Sequence, residues 1–443
     1  MYLCTRKTAL IVLFGLNIMK KITVILFLCG LFSGLHAQTC VHIYNDRVRT
    51  LRVARDILVL ENGVVDGSDE ENTLHISFDE MSHDVHFYTY TVKHMTADWS
   101  RESDILSGEY LQGFTTRDIT DYEHSINTSR EYTHYHFDFP NEDMVLTRSG
   151  NYLLSVYEDG NPDKRVADVQ VRVAEPMVKI ETTVRNNTDI ELSGRYQQVD
   201  IDVNTAALGV RDPNEVRVLV MQNNRTDNMV WLKMPTFVEP NRLRYINNKD
   251  LIFEGGNEYH HFDAFSTYYA GAGIDRVYFE NGDYNVLLFP NELTKGQYIH
   301  EYDSNGRFIV NAERTSDSDT EAEYMWIYWV LPVDKPWLDG ALYIGGDIFG
   351  NEMSMRNRMQ YDAELKCYWL TDLVKQGGYD YQFWFAGKGA ELLHPKGYNA
   401  QNKTTTQRVD GSYWQTENEY AVYVYWRPFG ARYDRLVGVK ISH

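Results

Sequence analysis

The sequence predicts an all-β protein built of tandem sandwiches, and three observations carry that prediction. Short alternating apolar runs recur along the chain, separated by Gly, Asn, Asp and Pro. Aromatic residues make up 14% of the chain, with 32 tyrosines, and such rings favour half-buried pleated surfaces. No long helical period follows the N-terminal segment.

The N-terminal segment reads as an export signal. Met19-Lys20-Lys21 is a basic start, Ile22 to Leu35 an apolar stretch, and Leu35-His36-Ala37 offers a cleavage site before Gln38. Residues 1–37 are therefore expected to be removed, with translation starting at Met19. Lys20 and Lys21 interrupt the apolar run, so no direct membrane span is expected. Neither Cys29 after Leu28 nor Cys40 after Thr39 fits a lipid-anchor signal.

Charge narrows the partners. The 443 residues carry 43 bases and 63 acids, a net −20. Loss of Arg6, Lys7, Lys20 and Lys21 with the signal leaves 39 bases against 63 acids, a net −24. Phosphate backbones repel such a chain, and nucleic acid is not an expected partner. The mature part keeps only Cys40 and Cys367, too few for a disulfide framework. They either pair or remain two separate thiols.

Strands are expected at Val85–Val92, Tyr152–Tyr157, Val166–Val173, Val199–Val203, Val216–Met221, Tyr284–Phe289, Phe308–Val310, Tyr324–Leu331, Tyr379–Phe385 and Tyr420–Trp426. Asp159-Gly160-Asn161-Pro162 marks a hairpin between the second and third of these. Composition then places unit boundaries. A first sandwich is expected over 38–176, closed by Ala174-Glu175-Pro176, and a second over 177–312. An acidic linker follows over 313–322, then a third unit over 323–443. The third holds Leu342-Tyr343-Ile344-Gly345-Gly346-Asp347 and Gln376-Gly377-Gly378-Tyr379. It looks like the immunoglobulin-like modules found beside glucan-active domains, a likeness of fold.

Candidate chemical sites are few. His134 and His136, two apart on a strand, share a face and could ligate a metal. A third ligand is missing from the pattern, and wet-face histidines are the expected reading. His260 and His261 are adjacent, so they point to opposite faces and are not expected to share a metal. Asp317, Asp319, Glu321 and Glu323 resemble a calcium loop without its glycine, and a solvated linker is expected there. Asp98 and Glu102 serve glycoside hydrolysis only at the right separation. The chain lacks G-x-S-x-G, the P-loop, H-E-x-x-H and C-x-x-C. No catalytic residue, cofactor or metal is expected, and the protein is not expected to be an enzyme. Most of the nine tryptophans are expected in cores.

One resemblance is specific. Tyr88 to Ser100, with His94, Met95 and Trp99, is followed by Glu109-Tyr110-Leu111-Gln112-Gly113-Phe114 and Asp121 to Thr128. Tyr132-Thr133-His134-Tyr135, Pro140-Asn141-Glu142-Asp143 and Thr147-Arg148-Ser149-Gly150-Asn151-Tyr152 come next. Further on stand Val220-Met221-Gln222-Asn223-Asn224-Arg225, Asp227-Asn228 and Phe253-Glu254-Gly255-Gly256-Asn257-Glu258. In these strings the chain resembles the plug proteins of the type IX secretion translocon of Bacteroidota. The resemblance spans essentially the whole mature chain. It implies a periplasmic β-sandwich protein that docks on the periplasmic mouth of a giant outer-membrane β-barrel and closes it when idle. It brings no catalytic residues. The strings over 94–151 are expected to form loops and strand ends of one sandwich, with Trp99 as a core anchor. The other reading is a secreted carbohydrate-binding accessory protein, suggested by the third unit and the tryptophans.

Overall fold

A computed structural model of the protein describes residues 40–54, 57–61, 63–188, 194–294, 296–388 and 404–443. The expected signal segment 1–37 and the expected start at Gln38 lie outside the described residues. The described chain is all-β. Its α-helices are two single turns, Ser107–Tyr110 and Ser318–Glu321. Among the described residues no helix is long and apolar enough to cross a membrane.

The strands follow the alternation in the sequence. The expected hairpin forms between Gly150–Glu158 and Arg165–Ala174, which pair antiparallel. Asp159 and Gly160 turn it with positive φ. Asp and Gly are residues that tolerate that conformation. The 85–92 run forms the strand Tyr88–Met95, displaced towards its C-terminal end.

Three cores divide the chain. The first gathers Val48 to Val173, including Phe78, Tyr90, Tyr135 and Leu154. It lies between the sheet formed by Val48–Ala54, Leu74–Glu80, Thr133–Phe139 and Asp121–His124 and the strands Arg165–Ala174, Gly150–Glu158 and Tyr88–Met95. A second core takes Ile180 to Phe253 and then Tyr420, Val422, Val424 and Val437. A third takes Phe262 to Val409, with Trp329 and Phe383.

The expected boundaries of the second and third units therefore change. The third sandwich is inserted into the second. Tyr420–Trp426 pairs antiparallel with Val216–Gln222, and Arg435–Ser442 pairs with Tyr420–Trp426. The last two strands of the expected 323–443 unit thus complete the middle sandwich. Residues 262–288, expected in the middle, belong to the third core. Composition does not show this: the chain crosses and returns through polar stretches, 254–261 and 404–419, but a polar break does not say which strands on its two sides pair. The acidic stretch 313–322, the sharpest break, lies inside the third sandwich's span.

The first and middle sandwiches share a sheet. Its path runs through Val216–Gln222, Tyr420–Trp426, Arg435–Ser442, Arg165–Ala174 and Gly150–Glu158. The join is a parallel pairing of Ala174 with Leu436. An apolar layer of Ala97, Ala174, Leu219, Met221, Ala421 and Leu436 backs it.

Candidate functional site

Some of the strings that carry the family resemblance lie at junctions between sandwiches. Gln222 to Asn228 and Phe253 to Glu258 lie at one, Tyr132 and His134 at another and Ala97 to Trp99 at a third. Others, such as Tyr88 to Val92 and Tyr110-Leu111, belong to the first sandwich's own core. The junction of middle and third sandwiches is the point where the chain crosses and returns. Asn223 and Asn224 take φ of 48° and 53°, a left-handed pair that asparagine tolerates, and they turn the chain at the end of Val216–Gln222. Asn223 Nδ2 donates to Asn418 Oδ1 at 2.8 Å, and the Glu419 amide donates back to Asn223 Oδ1 at 2.8 Å. Gln222 Nε2 donates to the Glu254 carbonyl at 2.9 Å. Asn418 Nδ2 donates to the Gly255 carbonyl at 2.7 Å and to Gln197 Oε1 at 2.9 Å. A Cβ on Gly255 would stand 2.0 Å from the Tyr413 carbonyl oxygen, so only glycine lets the two crossings lie this close. Arg225 and Asp227 pair at 2.8 Å, both buried. The Arg225 guanidinium lies 4.6 Å from the Trp384 ring centre and donates to Thr404 Oγ1 at 2.7 Å. Burial works against the Asp227 carboxylate; Arg225 and Thr404 outweigh it and hold its pKa below the usual range.

The junction of first and third sandwiches is ionic. Asp79 accepts from Lys375 Nζ at 2.7 Å, from Tyr324 OH at 2.7 Å and from His134 Nδ1 at 2.6 Å. The Lys375 and Asp79 side chains are 0% and 1% exposed. Lys375 also donates to the Asp319 carbonyl at 2.6 Å, and its ammonium lies 4.2 Å from the Tyr132 ring centre. Burial would raise the Asp79 pKa, but Lys375 and His134 overcome it and keep the carboxylate below its ordinary value. Arg52 pairs with Asp319 at 2.5 Å, and Arg130 holds Asp283 through two 2.7 Å bonds.

Two expectations change here. His134 and His136 do share a face, with ring centres 5.9 Å apart, yet His134 is buried under the third sandwich rather than wet. The 313–322 stretch is a docking segment rather than a solvated linker. Asp317 caps the turn Ser318–Glu321, Thr320 is buried, and Asp319 faces Arg52. Both errors have one cause: alternation reports which residues share a face, not what another sandwich lays upon it.

The first–middle junction is built around Arg172. Its buried guanidinium lies 5.5 Å from the Trp99 ring and 4.6 Å from the Tyr423 ring. Trp99 is half-buried with φ of 59°, a turn residue that covers Arg172 and not the expected core anchor. His94 is buried, and burial lowers its pKa to about 4. His94 bonds Ser103 Oγ at 2.8 Å and the Ser149 carbonyl at 3.1 Å. A Cβ on Gly150, at φ of 131°, would meet the His94 ring at 2.7 Å. Asp98 accepts from Thr96 and Ser100 within its own turn, and Glu102 pairs with Lys93.

His260 and His261 face opposite ways, each towards carboxylates. His260 Nε2 meets Asp410 at 2.8 Å. His261 donates from Nδ1 to Asp380 at 2.7 Å and from Nε2 to Asp263 at 2.8 Å. Both ring nitrogens thus have acceptors. The Asp380 bond leads, burial opposes it, and the Asp263 bond adds, which raises the His261 pKa to about 9. A raised folded pKa stabilises fully below the unfolded value near 6.5, and the gain is lost as pH rises through about 9. The melting temperature of His261→Gln is expected to converge with that of the native protein above pH 9 and to fall below it at pH 6. Thermal melts across that range check this.

Cys40 and Cys367 are separate buried thiols. Among the described residues no group of three or more His, Cys, Asp or Glu is placed to hold a metal. Most of the tryptophans serve cores as expected, since Trp231, Trp326, Trp337 and Trp426 pack against core clusters besides the two that are fully enclosed. Trp329 and Trp384 are fully buried, and Trp369 and Trp414 are 37% and 41% exposed. The other five are half-buried. The sequence reading passed over Asp79, Lys375 and Arg172. Their strands carry other polar and charged residues as well, so nothing in the pattern singles these three out.

This architecture defines a class of protein: a multi-sandwich β chain with buried ionic pairs where its sandwiches meet. Residues 49–175 match the family described as the type 9 secretion system plug protein 1st domain. The chain belongs to that plug protein family. A crystal structure of a hypothetical protein from Parabacteroides merdae ATCC 43184 is similar over 92% of this chain and 100% of that one, at 33% identity and a TM-score of 0.83. No curated protein matches the chain. The family associates the protein with the type 9 secretion system of the cell envelope and fits a structural role.

Proposed function

We propose that this protein is a periplasmic plug that docks on the periplasmic opening of the outer-membrane translocon barrel and seals it when idle. The family match over residues 49–175 carries the reading. Physical considerations support it. A barrel wide enough for folded cargo leaks solutes unless it is stopped. Three packed sandwiches make a bulky stopper, and a net charge of −24 after loss of residues 1–37 keeps it in solution until it meets a complementary mouth. Deleting the gene is expected to make the outer membrane permeable to large antibiotics such as vancomycin while secretion continues. Deleting the barrel as well is expected to abolish the leak. Normal permeability in the single deletion, or a tagged protein that never co-purifies with the barrel, overturns the reading. Exposed Trp369 and Trp414 favour a second reading, carbohydrate binding, which polysaccharide gel-shift assays test.

A further inference from the structure

We infer that the first and third sandwiches form a separable latch, with the Asp79–Lys375 pair as its bolt and the middle–third crossing as its pivot. The argument compares the junctions. The first and middle sandwiches share a sheet and an apolar layer. Separating them would break backbone pairing and expose hydrocarbon to water. Among the described residues the first and third share no sheet. Their apolar contact is small: Tyr132, Tyr324 and Leu373, flanked by Met81 and Trp326. Charges dominate the remainder, with Lys375 on Asp79, Arg52 on Asp319, Arg49 on Asp372 and Arg130 on Asp283.

Ionic and apolar interfaces respond differently to opening. Buried charges lose hydration on docking and recover it on separation, so the open state is not penalised as bare hydrocarbon would be. An interface of this kind, small and polar, is the sort that domains make and break.

The connectivity permits the motion. The third sandwich is tied to the middle by two crossings, which are bonded to each other. The Tyr413 amide donates to the Gly256 carbonyl at 2.8 Å, and Asn418 reaches the Gly255 carbonyl at 2.7 Å. Both tethers leave from one place. The third sandwich can swing there without opening the core of the middle one, and Gly255 and Gly256 supply backbone freedom.

Three amides of the first sandwich report the latch directly, because their acceptors lie across it. Ile126 donates to the Thr320 carbonyl at 2.9 Å, and Ser129 and Arg130 donate to Glu323 at 2.6 and 3.3 Å. Hydrogen–deuterium exchange on the full-length protein, read by mass spectrometry over peptide 125–131, tests the inference. In the native protein this peptide is expected to exchange through an opening far weaker in denaturant dependence than that of the core strand 150–158. Lys375→Met is expected to speed exchange over 125–131 on the order of 100-fold while leaving 150–158 unchanged. Arg130→Gln, at a half-exposed position, is expected to give a smaller rise and keeps the test valid if Lys375→Met does not fold. Equal denaturant dependence of 125–131 and 150–158 in the native protein overturns the latch. So does a variant in which both peptides accelerate together.

Discussion

Arg225→Met lowers the unfolding free energy of the protein by about 3–5 kcal/mol, because it leaves Asp227 charged, buried and without its cation. The pair sits where the chain passes between middle and third sandwiches, and both side chains are under 10% exposed, at 8% and 6%. The loss comes from stranding one partner rather than from any large net value of the pair. The double variant Arg225→Met/Asp227→Asn is therefore expected to recover most of the loss, since methionine can still pack on Trp384 and asparagine can still meet Thr404. Urea denaturation of the two variants beside the native protein measures both values. A double variant as unstable as the single one contradicts the argument.

Trp329→Ala costs about 3–5 kcal/mol, whereas Trp369→Ala stays within about 0.5 kcal/mol. The two residues lie on neighbouring strands of one sheet, Tyr324–Pro332 and Cys367–Lys375. Trp329 points inward and is 0% exposed, with its ring centre 6.0 Å from those of Phe262 and Phe349. Trp369 points outward. Removing the inner ring leaves a cavity that surrounding strands cannot close; removing the outer one leaves water. Thermal or chemical melts of the two variants give the comparison.

The strands were largely legible in the sequence, because period-two alternation is imposed locally by the pleat. Tyr420–Trp426 and Phe308–Val310 fall where the pattern puts them. Alternation does not report which strand a strand pairs with. That is why position along the chain puts Tyr420–Trp426 with the third sandwich although its partner is Val216–Gln222. Composition located the acidic 313–322 stretch correctly as a break but not as a docking segment, since Asp319 finds Arg52 only once two sandwiches meet. The family strings were legible as strings. That Gln222 to Asn228 and Phe253 to Glu258 meet at a junction depends on tertiary geometry that spacing does not encode.

The discontinuous middle sandwich also fixes an order of construction. The chain leaves the ribosome from its N-terminus, and domains complete themselves as their strands arrive. The first sandwich has all its strands early. The inserted one comes next as a complete set. The middle one waits, because the partner of Val216–Gln222 lies roughly 200 residues further along. Until Tyr420–Trp426 arrives, Val220 and its neighbours have an open sheet edge and an uncovered apolar face. The last strands thus act as a closing stitch, made only after the two flanking bodies exist. A clipped copy lacking them would leave the Val216–Gln222 edge unpaired and part of the middle core uncovered.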